Sequence, residues 1–306
     1  MVRTFGPGLP SADAACGTNF CGRRKLIVFL LAGICGMAQP VRWEQLSASE
    51  KQLYKDGKYT DAGPVAQEAV RAAEGAFGAE SQQVASSLSD LGLIDIESAK
   101  YAEAEAAFSK GLAIDVKLKG GESAAAAVDL GNLGAALTKE GKFLQADPAF
   151  RRSLAAAQKS FPPDSLETCR IFGQLAGLLD SEGRYAEAFD AYNQALQTTS
   201  RKIGPQTPEV AAIVNDMAGL ILHKGEFAPA AAYYRAALAI REKTLGPNHP
   251  KTGETVQGLG FALMSLGRIG EAVNDYTRAV GIFRQALGQN DLRVGQVERK
   301  RQSNPS

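Results

Sequence analysis

The chain has 306 residues, with 34 Lys and Arg against 33 Asp and Glu, a formal net charge of +1, and only four Cys and two His. That balance, without a basic stripe interleaved by aromatics, excludes the electrostatic footprint of a nucleic-acid binder. With so few Cys and His, neither a disulfide framework nor a soft metal cluster is expected.

Residues 1–25 show no periodicity. Arg23-Arg24-Lys25 is followed by the apolar run Leu26 to Ile34, and the next charge is Arg42. The apolar part ends near Ala38, short of the roughly 20 residues that cross a bilayer. Gly36-Met37-Ala38 places small residues where a signal peptidase reads them. Residues 1–38 are therefore read as a signal peptide cleaved after Ala38, so the chain is expected to be secreted or periplasmic. The alternative is an uncleaved leader and a membrane-anchored protein; Ile34 before Cys35 makes a poor lipoprotein signal. Cleavage would remove Arg3, Arg23, Arg24 and Lys25 with Asp13, leaving the remainder near −2. It would also remove Cys16, Cys21 and Cys35, so Cys169 would have no intrachain partner; it reads as a small buried packing residue.

From residue 39 to 290 the chain repeats. Gly57-Lys58-Tyr59 returns every 42 residues as Ala99-Lys100-Tyr101, Gly141-Lys142-Phe143, Gly183-Arg184-Tyr185, Gly225-Glu226-Phe227 and Gly267-Arg268-Ile269. A fixed period of this size marks a solenoid. Three residues after each aromatic (or Ile269) stands an alanine, from Ala62 to Ala272. Four further stand Ala66, Phe108, Phe150, Tyr192, Tyr234 and Tyr276, and then Val70, Leu112, Leu154, Leu196, Leu238 and Val280. Steps of three and four place these side chains on one helical face. Before each turn an apolar column, Leu91, Leu133, Leu175, Met217 and Leu259, is followed by a small residue that lets helices approach. Each unit thus reads as helix A, turn, helix B. The A helices are expected near 81–98, 123–140, 165–182, 207–224 and 249–266, and the B helices near 59–76, 101–118, 143–160, 185–202, 227–244 and 269–286. No sheet is expected. Pro64 and Pro148 fall inside B helices, which are expected to start late or kink there. Residues 291–306 read as a partial seventh helix A capping the open end, followed by a polar tail.

No catalytic constellation stands out. Gly258-Leu259-Gly260 lies inside a helix and follows no strand, unlike a phosphate-cradling loop. Glu103 and Glu105 read as solvated surface, His223 as a cation at a helix C-terminus, and His249 as a brace in an inter-repeat turn.

The repeat columns, and above all Ala231 to Pro250 (AAYYRAALAIREKTLGPNHP), resemble tetratricopeptide repeats of the 42-residue kind found in kinesin light chain. The resemblance covers about residues 42–290 and is weakest in the first repeat, where Ser49 and Ala66 replace an apolar residue and an aromatic. It implies an all-α, right-handed superhelical solenoid whose A helices line a concave groove. It also implies a non-enzymatic scaffold that binds a peptide or partner protein there, with no cofactor, nucleic acid or small-molecule substrate, and membrane contact only if the leader is retained. By the same mapping the groove presents Asn132, Gln174, Asn215, Asp216 and Gln257, with Arg170, Thr138 and Lys139 beside them. Asn215 matches the first position of that family's Asn-Asn pair, and Asn132 the second. The rival expectation is a membrane-tethered assembly scaffold that works through its convex face or ends.

Overall fold

The computed structural model describes residues 39–302, and within them thirteen α-helices and no strand. The predicted signal peptide and the last four residues lie outside the described residues. The helices alternate as A and B: α1 (Gln39–Lys55), α2 (Tyr59–Phe77), α3 (Gln82–Glu97), α4 (Tyr101–Lys119), α5 (Ala124–Glu140), α6 (Phe143–Ser160), α7 (Leu166–Ser181), α8 (Tyr185–Ile203), α9 (Pro208–His223), α10 (Phe227–Thr244), α11 (Pro250–Ser265), α12 (Ile269–Leu287) and α13 (Leu292–Gln302). Odd-numbered helices up to α11 are the A helices of six repeats. The last helix, α13, stands at the position of a seventh.

Local chemistry explains where the helices stop and start. Each A helix ends in a turn whose last amide reaches back five residues: Lys58 N to Leu53 O at 2.8 Å, Lys142 N to Leu137 O at 2.8 Å, Arg268 N to Leu263 O at 2.9 Å. That bond requires a left-handed residue just before it. Gly141 supplies one at φ 83°, while Ala99, at φ 57°, is the one non-glycine residue with positive φ among those described. A second column starts the A helices. Ser81, Ser123, Ser165 and Thr207 accept from the backbone N–H three residues on, at 3.1 to 3.4 Å. In the same column His249 accepts from Lys251 N at 3.1 Å, and Asp291 from Arg293 N at 2.9 Å. Each cap satisfies a donor the helix cannot.

The core runs along the seams between helices. Phe108 and Phe150 are fully buried. A β-carbon at Gly92 would stand 2.7 Å from the Phe108 ring, so glycine there is what lets helix A meet helix B over an aromatic. The two prolines do not delay their helices, contrary to the sequence expectation. α2 begins at Tyr59 and α6 at Phe143, in register with the other B helices. Pro64 and Pro148 sit on the solvent face, as do Thr60 and Leu144, whose carbonyls each proline leaves unbonded. Water can satisfy those groups, so the cost is small enough for packing to override.

Candidate peptide groove

Three of the eight groove residues read from the sequence converge. Arg170 on α7 donates from Nη1 to Asn132 Oδ1 on α5 at 2.6 Å, and Gln174, one turn further along α7, donates from Nε2 to the same oxygen at 3.3 Å. Asn132 is buried, with 2% exposure. Arg170 keeps contact with solvent and forms no ion pair among the described residues, and desolvation by the surrounding protein lowers its pKa. Gln174 Oε1 is buried with no hydrogen-bond partner. The cluster therefore holds unused guanidinium donors beside an unused carboxamide acceptor. An extended backbone offers a C=O to the guanidinium, while Gln174 Oε1 is turned into the seam, 2.9 Å from where a β-carbon on Gly131 would stand. Gly173, between Arg170 and Gln174, leaves open space where a side chain would stand.

Asn215 and Asp216, on α9, divide their roles. Asn215 turns toward the next repeat, where its Oδ1 accepts from Thr255 Oγ1 at 3.0 Å. Its Nδ2 lies 3.3 Å from Asp216 Oδ1. Asp216 is exposed in the groove, yet desolvation by the walls raises its carboxyl pKa against the pull of Lys139 and Arg241. Gln257 is half-buried on α11. Thr138 does not take the expected role: its hydroxyl donates to Gly134 O at 2.8 Å within its own helix, a local bond that competes with any ligand. Lys139 stands apart from the Asn132 cluster. It lines a cavity of about 280 Å³ with Glu97, Lys251, Glu254, Asp291 and Arg293.

The charged lining of that cavity was not legible in any repeat column. Lys251 Nζ on α11 lies 2.5 Å from Glu97 Oε2 on α3 and 3.4 Å from Glu254 Oε2. Burial disfavours the ammonium, but Glu254 and Glu97 outweigh it and hold the Lys251 pKa well above its ordinary value. Burial likewise opposes the Glu254 carboxylate, and Lys251, Arg241 and Arg293 together pull its pKa down. His223 meets Asp180 at 2.9 Å across neighbouring A helices, and that bond raises its pKa. Its surroundings thus extend beyond the helix end read from the sequence. His249 does brace its turn, as an N-cap. Cys169 is buried, and burial raises its thiol pKa. Glu103 is exposed, and Glu105 pairs with Lys142 at 2.7 Å. Among the described residues no three His, Cys, Asp or Glu side chains are grouped to hold a metal, and no helix is long and apolar enough to cross a membrane.

Comparison with known proteins bears on the same repeats. The family profile described as tetratricopeptide repeat matches residues 52–115, 122–200 and 209–285. No curated protein matches. Among solved structures the chain is similar to BtubC (BKLC) from P. vanneervenii, at 20% identity and TM-score 0.54 over 76% of this chain and 91% of that one. A putative kinesin light chain with nearly identical repeats from Podospora anserina aligns at 19% identity and TM-score 0.49, over 68% and 99%. NprR in complex with its cognate peptide NprX aligns at 12% identity and TM-score 0.66, over 92% and 79%. At these identities the likeness to BtubC and to NprR speaks for the fold alone. With the family profile covering most of its length, the chain belongs to the tetratricopeptide repeat family, and its repeats recur every 42 residues.

Proposed function

We propose that this chain is a protein-interaction scaffold that binds an extended peptide segment along its A helices, without chemistry. The observation that carries the reading is the Arg170–Asn132–Gln174 cluster, where the exposed Arg170 guanidinium, outside any ion pair among the described residues, stands beside Asn132 on the helix that carries the open Gly173 position. Guanidinium donors still free at such a site can take a backbone C=O, a bond to a charged group worth about 1.5–3 kcal/mol. The peptide in the NprR complex, a structure of the same fold, supports the reading. We propose in addition that the protein is exported, on the basic-then-apolar pattern of residues 23–38.

The test is recovery of crosslinked partners from cells that make the full chain, with Arg170→Ala and Asn132→Ala combined, against Lys110→Ala on the exposed side of α4 as a control. Loss of the partner set in the groove variant alone is the expected result. Equal recovery by both variants, with unchanged circular dichroism, would overturn it. Amino-terminal sequencing of the extracellular or periplasmic fraction tests cleavage after Ala38.

A further inference from the structure

The first repeat touches the sixth. Of the glycines in the turns from helix A to helix B, Gly57 alone has a neighbour among the described residues within 4 Å of where a β-carbon would stand: the Pro250 ring, and His249 Nε2 at 3.0 Å, while Gly141, Gly183, Gly225 and Gly267 face open space. Tyr59, two residues on, is 3% exposed and packs in one apolar cluster with Tyr234, Leu259 and Leu263 of the last two repeats. The equivalents Tyr101, Phe143, Tyr185 and Phe227 are only half-buried, and Ile269 is exposed. The burial of Tyr59 therefore comes from this contact and not from the repeat.

Polar bonds fix the same contact. His249 Nδ1 accepts from Lys251 N, which leaves Nε2 to carry the ring proton and donate to Lys55 O, 3.2 Å away and 194 residues earlier. Two residues later, in the first turn of α11, Lys251 reaches Glu97 at the end of α3. The Tyr54 hydroxyl, at the end of α1, lies within the field of Glu97, Lys251 and Arg170. An apolar face, a directed hydrogen bond and a half-buried ion pair thus meet at a place where each of the other repeats meets solvent.

We propose that these residues form an intramolecular clasp. The first turn and the end of α3 lock onto the start of α11, and a bulky ligand enters the groove only when the clasp opens. The gating half rests on the groove reading above; the closure half does not.

The full chain is treated with a zero-length carbodiimide, and Glu97–Lys251 crosslinks are mapped by mass spectrometry, with the Asp164–Lys202 pair, 2.7 Å apart between the turn before α7 and the end of α8, as the internal reference. Two variants open the clasp differently. Gly57→Ala introduces the clash with Pro250; Ala99 shows that this turn column accepts alanine where space is open. His249→Asn keeps an N-cap but withdraws the bond to Lys55. In each, the Glu97–Lys251 yield falls while the reference holds, most in Gly57→Ala, whose clash costs more than the one net hydrogen bond lost in His249→Asn. A thiol at Gly173→Cys, with Cys16, Cys21 and Cys35 changed to Ser, then reacts about fivefold faster with a polyethylene-glycol maleimide. Absence of the wild-type crosslink, or an unchanged yield in both variants, overturns the clasp. A lowered yield with an unchanged labelling rate overturns the gating. No peptide enters either readout, so these outcomes are independent of whether the groove binds one.

Discussion

Two seams of this solenoid place different chemistry in the same three columns. Between the second and third repeats stand Asp115, Asp129 and Ser89; between the fifth and sixth, 126 residues on in each column, stand Arg241, Thr255 and Asn215. In the first seam both carboxyls are buried, Ser89 Oγ donates to Asp129 Oδ1 at 2.6 Å, and Asp129 Oδ2 and Asp115 Oδ1 have no hydrogen-bond partner. Burial raises the Asp129 pKa to about 7, the Ser89 bond opposes the rise, and the neighbouring Asp115 adds to it. In the second seam Arg241 Nη1 donates to Thr255 Oγ1 at 2.7 Å and to Lys251 O at 2.5 Å. Between the third and fourth repeats the same columns hold Ala157, Ile171 and Gly131, with no charge at all. The fold does not demand one chemistry at this point. It demands that whatever is buried be matched, and the acidic seam meets that demand only with a proton.

The sharpest way to break the comparison is Ile171→Asp, which moves the acidic seam's residue into the apolar one. Ile171 is fully buried among Ala127, Ala156 and Ala157. A carboxyl there has neither a serine donor nor a proton-sharing partner, so urea denaturation should show a loss of about 4 kcal/mol. Next in size is the pH dependence of the acidic seam itself. With a folded pKa near 7 and an unfolded one near 4, Asp129 adds stability that is complete below about pH 4, declines as pH rises, and is gone above about pH 7. Glu50, fully buried on α1 and pushed up to about 8 by burial and then by Asp90, extends the decline. Asp129→Asn keeps the shape and donates to Asp115, so at pH 8 it should be more stable than wild type by about 3 kcal/mol, and the slope between pH 4 and 7 should flatten. Equal slopes in the two proteins would show that Asp129 is not protonated in the fold. The smallest effect is Gly173→Ala, in the Ser89 column but facing open space. It should gain about 0.5–1 kcal/mol, from helix propensity alone, in the same urea titration.

Helix order, repeat length and the small-residue columns were readable because each is enforced locally and copied every 42 residues. The cap column from Ser81 to Asp291 was equally readable in principle, since serine or threonine recurs at a fixed step before each A helix. The candidate cluster was legible in part. Asn132, Gln174 and Arg170 meet as neighbouring A helices require, whereas Thr138 bonds inside its own helix and Asn215 turns toward the next repeat. Rotamer and partner choice separate these cases, and column position carries neither.

What the sequence determined by itself is the repeating part: short-range hydrogen bonds, caps and apolar steps, each specified within one unit and its neighbour. What only the tertiary structure decided is whatever departs from the repeat. The contact of Gly57 with Pro250, the burial of Tyr59 and the pairing of Glu97 with Lys251 join residues far apart in the chain, and no column announces them. They depend on how small angles between successive repeats accumulate until the last unit returns to the first. That sum is a property of the whole stack and is written in no single repeat.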